Sequence, residues 1–473
     1  MMKSYLNKIK YTALALAGVL TISSCSDNFL ELAPHDKTSV NIMYKTASDF
    51  NLAVIGVYSK LQGQIGFFNE LNEYRSDNLN IDAPTAGTQD RYDIDQFQDK
   101  ASNGILESAW ANYNNGVYRA NMVLDRIDAA NFDANLKKQY KGEALFLRAM
   151  TYFNMYRIWG GVPITSKVVS LEEAFSIKRS SEEEMMAFIV NDLKEIVNNQ
   201  LLPVRYSNDQ AGRATLGAAQ TLLGKVYLTF HKWEEARDIL AQVIGKYTLL
   251  QNPADVFSVD NKMNDEIIFA IRFNKAVPTE GHGFWYSIPN LNANTGQSTE
   301  LKEGFETGDL RKDLISFQSV PGETNVFAMK KFMDVRNLTT NNVGNDFIVL
   351  RYADVLLMYA EALNRISFDN SDNGLAMTAL NEVRTRAGLQ AISSTDVRVA
   401  NQAAFNKAIA KERQFEFPYE GHRWYDLVRM GLAKEVMSEV GHNIADHQLL
   451  YPIPTTVLER INNTSLVWQN PGY

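Results

Sequence analysis

Cysteine is nearly absent: the 473-residue sequence has one, Cys25, so no intramolecular disulfide can staple the fold. The common catalytic signatures are absent as well. There is no GxSxG elbow, no HExxH pair and no glycine-rich phosphate loop, and the six histidines fall at no recognisable metal-ligand spacing. Basic charge is in deficit, with 47 Lys and Arg against 55 Asp and Glu for a net of -8, which argues against a broad nucleic-acid surface. The apolar run at residues 11–22 is twelve long, too short for a comfortable membrane span. No cofactor, metal or nucleic-acid partner is expected from this inventory.

What is present begins with a processing signal. Lys3, Lys8 and Lys10 precede the apolar run, and Ile22-Ser-Ser-Cys25 places small residues before the single cysteine, in the manner of a bacterial lipobox. Residues 1–24 therefore read as a signal peptide, Cys25 as the lipidated residue that associates the chain with a membrane, and 25–46 as anchor and tether. Removing 1–24 takes three lysines and no acid, moving the formal charge to -11.

Residues 47–473 read as one mainly α body. Helical runs are expected from Ala47 to Leu61 (interrupted in its regularity by Gly56), Ile105 to Ile127, Leu136 to Ile158, about Ser180 to Asn198, Ala214 to Phe230 and Trp233 to Ile244. An organising block follows at 347–429: one helical run from Phe347 to Leu363, one from Ala376 to Ala387 ending at Gly388, one from Ala403 to Phe417 stopped by Pro418, and a short helix from Trp424 to Met430. Its charged residues Glu361, Arg384, Arg386, Glu412, Arg413, Glu416, Arg423 and Asp426 favour ion-paired links between packed helices over catalysis. A degenerate helical-repeat pattern around Ala218, Leu222, Tyr227 and Trp233 has no regular 34-residue period across the chain.

Several separated runs resemble the SusD/RagB family of outer-membrane nutrient-binding lipoproteins: Arg351-Tyr-Ala-Asp-Val-Leu-Leu-Met-Tyr-Ala-Glu-Ala-Leu-Asn364, Val383-Arg-Thr-Arg-Ala-Gly388, Glu412-Arg-Gln-Phe-Glu-Phe417, Glu420-Gly-His-Arg-Trp-Tyr-Asp-Leu-Val-Arg429, Leu450-Tyr-Pro-Ile-Pro454 and Gln469-Asn-Pro-Gly-Tyr473. Tyr156-Arg-Ile-Trp-Gly-Gly-Val-Pro163 fits as well. The resemblance implies a tetratricopeptide-like helical repeat scaffold of four helix pairs with long irregular ligand-binding loops. It also implies a surface-exposed lipoprotein of the outer membrane, capturing an oligosaccharide without turnover for a SusC/RagA-like TonB-dependent transporter. A glycopeptide or peptide receptor, a glycoside hydrolase and an adhesion protein are the alternatives.

The variable region at about 246–345 holds a short strand expected at Glu266 to Phe273, followed by a run mixing glycine, aromatics and amides. Trp285 and Tyr286 are the leading ligand contacts, since sugar C–H faces lie on aromatic rings while hydroxyls meet amides such as Asn290, Asn292 and Gln297. Tyr92 is a weaker candidate, at the end of a stretch from Arg75 that reads as an exposed loop. Asp77, Asn78, Asn80 and Asp82 there, and Asp369-Asn-Ser-Asp-Asn-Gly374, imitate parts of a calcium loop but lack the terminal glutamate, so no metal site is assigned. His282, between glycines, is expected to be exposed, and His422 to be structural.

Overall fold

The structure is a computed structural model and describes residues 43–473 apart from 85–86, 278–279, 283–294, 320–326 and 333–342. It is predominantly helical. Helix α1, Ala47–Gln62, starts on a reciprocal cap between Thr46 and Asp49 and turns Phe50, Val54, Val57 and Leu61 inward. It runs unbroken through Gly56, against the expected interruption, because one glycine costs a helix only about 1 kcal/mol. Helices α2, Gly104–Ile127, and α3, Ala134–Trp159, form an antiparallel hairpin capped by Asn103 and Asp133.

Residues 142–155 of α3 are buried without a break, so this helix is enclosed on all sides rather than along one stripe. Gly142 makes the closest approach possible: a Cβ there would stand 2.9 Å from that of Leu201. Arg148 crosses the enclosure, donating through Nε and Nη2 to Asp192 at 2.8 Å and through Nη1 to Asn121 and the Ser166 carbonyl. Asp192 lies on α4, Glu182–Asn198, whose Ser181–Glu184 capping box confirms the start expected from the acid-rich first turn.

Helices α5, Leu216–Thr229, and α6, Trp233–Ala241, make the next hairpin, and each helix packs on its sequence neighbours in a solenoid-like array. Trp233 packs against the core, as the repeat pattern implies, between a stacked His231 ring and the Arg365 guanidinium. Among the described residues no helix is long and apolar enough to cross a membrane.

Six short strands are described: β1, Leu79–Ile81; β2, Ile267–Ile271; β3, Thr295–Gln297; β4, Phe317–Ser319; β5, Phe327–Met329; and β6, Phe347–Arg351. They pair antiparallel as β1–β3, β2–β6 and β4–β5. Strand β6 corrects the expectation of a helix from Phe347. Phe-Ile-Val-Leu is apolar with β-branched members, and pairing with the fully buried β2 satisfies its backbone; the helix, α7, begins only at Tyr352 and ends at Ile366. Helices α8, Leu375–Arg386, α9, Gln402–Glu416, α10, Arg423–Arg429, and α11, Ala433–Glu439, follow. Gly388, at φ +87°, and Gly421, at φ +74°, take the left-handed conformation at the two reversals where the sequence places them.

The charged residues of this block form a buried lattice of ion pairs. Arg351 donates to Glu420 at 2.8 Å and to Glu266 at 2.9 Å, and also to Glu416. Glu416 in turn receives Arg386 and Arg311, and Arg311 reaches Glu412 at 2.6 Å. Arg413 joins Asp354 to Asp426, and Arg429 joins Asp426 to Glu361. Burial alone would raise the Glu416 carboxyl, but the charges of Arg386, Arg351 and Arg311 outweigh it and hold the group well below the usual carboxylate range. His422 is buried against Lys225 Nζ at 3.0 Å, and burial followed by the lysine charge pushes its imidazole down to about 3. Both glutamates of the Glu412/Glu416 pair are therefore committed to arginines.

The last residues fasten the first loops. Arg75 lies between the rings of Phe97 and Tyr451, 4.5 and 4.3 Å from their centroids, and pairs with Asp99 at 2.6 Å; Tyr473 donates its hydroxyl to the same carboxylate.

Replacing Glu416 by Ala leaves three buried arginines short of a counter-charge and is expected to lower the unfolding free energy by about 3–5 kcal/mol. Glu435→Ala, which breaks an exposed pair with Lys407, should change it by less than about 1 kcal/mol. Denaturant titration of both variants checks the contrast, and equal losses would contradict it.

Candidate ligand-binding site

The two stretches singled out for ligand contact, one ending at Tyr92 and the other running from Gly281 to Gln297, are joined in a ribbon where residues 79–81 pair with 295–297. Strand β1 pairs with β3, setting Leu79 opposite Gln297, Asn80 opposite Gly296 and Ile81 opposite Thr295. The first stretch is only partly the exposed loop expected of it: residues 82–84 are exposed, but Arg75 through Leu79 and Ile81 are buried. The reason is a set of partners far along the chain. Asp77 accepts Arg423 Nε at 2.6 Å and Nη2 at 2.7 Å, and the Gln414 amide at 2.8 Å. The Ser298 amide donates to the Asn78 carbonyl at 3.1 Å, and its hydroxyl to the Asp77 carbonyl. Buried polar backbone persists only when so satisfied.

A cleft of about 370 Å³ opens beside the ribbon. Asn80 and Asp82 of the first stretch and Asp95 just beyond it line one side, Gln297 of the second stretch and Thr299 and Glu300 just beyond it line the other, and His442 closes it from the end beyond α11. This lining of carboxylates, amide and hydroxyl suits a polyhydroxylated ligand, since each carboxylate accepts and each amide both donates and accepts. Asn80 donates to Asp82 at 2.6 Å. Asp95 accepts the Ile81 amide at 3.3 Å and so ties the small helix Gln89–Asp95 to β1. Burial pushes the Asp95 carboxyl up to about 7, and burial likewise raises Glu73, which holds Asn78 on the other flank of β1, to about 7.

Of the individual candidates, Tyr92 sits on Gln89–Asp95, half-buried against the core. Gln297 is half-buried in the cleft wall, and its amide donates to the Ile315 carbonyl. Trp285, Tyr286, Asn290 and Asn292 lie outside the described residues, as does Cys25. The described ends of that segment are His282 and Thr295. His282 corrects the expectation of exposure: it is bridged to Val343, its Nε2 lies 2.7 Å from the Asn345 carbonyl, and burial lowers its imidazole to about 4.

Asp77 is taken up by Arg423 rather than free for calcium. The Asp369 loop caps itself, with Asp369 accepting the Ser371 amide and Asp372 that of Ser394. Asp95, Glu300 and His442 were not singled out from the sequence. Asp95 had one local signal, a carboxylate one turn after Tyr92; Glu300 and His442 had none, because only the tertiary fold brings them here.

Because the folded-state Asp95 carboxyl is raised above its unfolded value of 3.8, the stability linked to its proton is complete below about pH 4 and is lost as pH rises through about 7. Asp95→Asn should therefore flatten part of the decline in thermal midpoint across that window, and Asp95→Asn with Glu73→Gln should flatten more. Midpoints measured as a function of pH test this; superimposable profiles for wild type and the double variant would refute it.

Comparison with known proteins reaches the same scaffold from outside. Residues 318–473 match the model described as the SusD family, and residues 28–228 match one described as starch-binding associating with outer membrane. SusD-like protein P25 of Formosa agariphila is 26% identical, the match covering 93% of this chain and 95% of the relative. A SusD-like protein of Bacteroides ovatus is 27% identical over 90% of this chain and 82% of its own length. Among solved structures, a laminarin binding SusD-like protein superposes with a TM-score of 0.75 at 26% identity, covering 91% of this chain and 100% of that one. With both ends of the body matched by models of one kind, and the whole helical array shared with such proteins, the chain belongs to the SusD/RagB family.

Proposed function

We propose that this chain is a surface glycan-binding protein of the outer membrane that captures oligosaccharide, without turning it over, for a partner TonB-dependent transporter. The observation that carries this is family membership along nearly the full chain, supported by likeness to a laminarin binding SusD-like protein. The polar cleft beside the β1–β3 ribbon is where the sugar is taken up: Asn80, Asp82 and Asp95 offer hydrogen bonds, and Trp285 and Tyr286, in the segment leading into β3, supply ring faces. Lipid on Cys25 anchors the body, with residues 26–46 giving it reach.

A glycan array combined with product analysis tests the core of this reading, which expects saturable binding and intact ligand. Turnover at low protein concentration would reject it, and binding of a peptide with no glycan bound would redirect the substrate class. On an identified glycan, Trp285→Ala or Tyr286→Ala should weaken binding by roughly 0.5–3 kcal/mol in calorimetry while circular dichroism is unchanged. Unchanged affinity in both variants would remove the two rings from the site. Metabolic lipid labelling should vanish in Cys25→Ala, and protease treatment of intact cells should reach the body; a labelled variant or a protected body would count against the placement.

A further inference from the structure

A second cleft, of about 520 Å³, lies between the connection from α4 to α5 and the stretch leading into β2. Its charge is unlike that of the chain as a whole. Four cations line it, Arg205, Arg213, Lys262 and Arg272, against one lining carboxylate, Asp265, on a protein of net charge -8. Counter-charges stand behind the lining and hold the cations in place. Asp346 takes Lys262 at 2.9 Å and Arg272 Nε at 2.7 Å, and Glu143 takes Arg213 at 3.0 Å. Arg272 also donates Nη1 to the Ala211 carbonyl at 2.7 Å, yet its side chain remains 39% exposed. Arg205 is 84% exposed and, among the described residues, pairs with Asp265, itself 71% exposed, a contact that a ligand displaces at little cost.

The backbone leaves room for this arrangement. Gly212 has φ +102°, and a Cβ there would stand 2.6 Å from Arg272 Cγ, so any other residue would push the arginine out of its bed. Tyr206 and Tyr247 add ring surface to the same lining. The cleft is thus of small-ligand size, with ring surface and a pre-positioned guanidinium.

We infer that this cleft is a second carbohydrate site, specific for a sugar unit bearing a carboxylate or a sulfate ester, with Arg272 and Arg205 receiving the anionic group. The inference rests on the glycan-binding reading and adds to it a charge preference and a location apart from the ribbon. A planar guanidinium matches either anion through paired N–H donors.

The test is calorimetry with oligogalacturonate, its fully methyl-esterified form and sulfated carrageenan oligosaccharides, on wild type, Arg205→Glu and Arg272→Gln. Expected is binding of at least one anionic oligomer that weakens about tenfold in either variant and as salt rises, with no response to the esterified form. Arg205→Glu alters an exposed side chain, so it remains informative if Arg272→Gln folds poorly. The proposal is overturned if neither anionic oligomer binds, or if binding ignores both substitutions and esterification. It is equally overturned if Arg205→Glu abolishes only association with the transporter, which would make the cleft a protein contact. Neutral glycans still bound on the array would show the cleft reading alone to have failed; nothing bound at all would mean the glycan reading itself had.

Discussion

The contact on which the rest depends is Arg351 among Glu266, Glu416 and Glu420. A guanidinium enclosed this completely is tolerable only if every carboxylate is in place, and those three come from the edge of β2, the end of α9 and the turn before α10. One side chain thereby sets the distance between a strand, a long helix and a reversal of direction. Glu416 extends the arrangement through Arg386 to α8 and through Arg311 to the segment before β4. Hydrophobic burial supplies the drive for the array, but apolar contact is non-directional; the ion lattice specifies which helices meet and at what register.

The same lattice explains why the C-terminal half was legible from sequence. A buried charge requires a partner, so alternating Glu and Arg on apolar helices announces packed helices, and helix ends at Ser181, Gly388 and Pro418 follow from local capping and backbone sterics. The start of α7 was not legible, because Val349, Tyr352 and Val355 satisfy helical spacing even though 347–351 is extended. Only the presence of β2, some eighty residues earlier, decides the matter. Gly56 misleads in the opposite direction: its punctuation value is real in isolation and is overridden by the helix on either side.

The candidate site was legible by residue type and not by position. Aromatic and amide composition marked the run from Gly281, and Tyr92 marked the other stretch, yet nothing in either says that Asn80 stands opposite Gly296. Asp77 reads as a loop carboxylate until Arg423, 346 positions away, is folded onto it. A polar stretch counts as exposed only in the absence of such a partner, and here the partner lies in the ion-paired helical block. Scaffold and site are one system.

The clasp of Arg75 by Phe97, Tyr451, Asp99 and Tyr473 bears on how the protein comes into being. Tyr473 meets Asp99 across 374 positions, a closure whose entropic cost is offset only once the intervening chain is ordered. The clasp is therefore complete only when the last residues of the chain are in place. A chain clipped within those residues would leave the buried Arg75 guanidinium without the Tyr451 ring or without the Tyr473 hydroxyl that shares Asp99, so the terminus acts as a latch on the first loops.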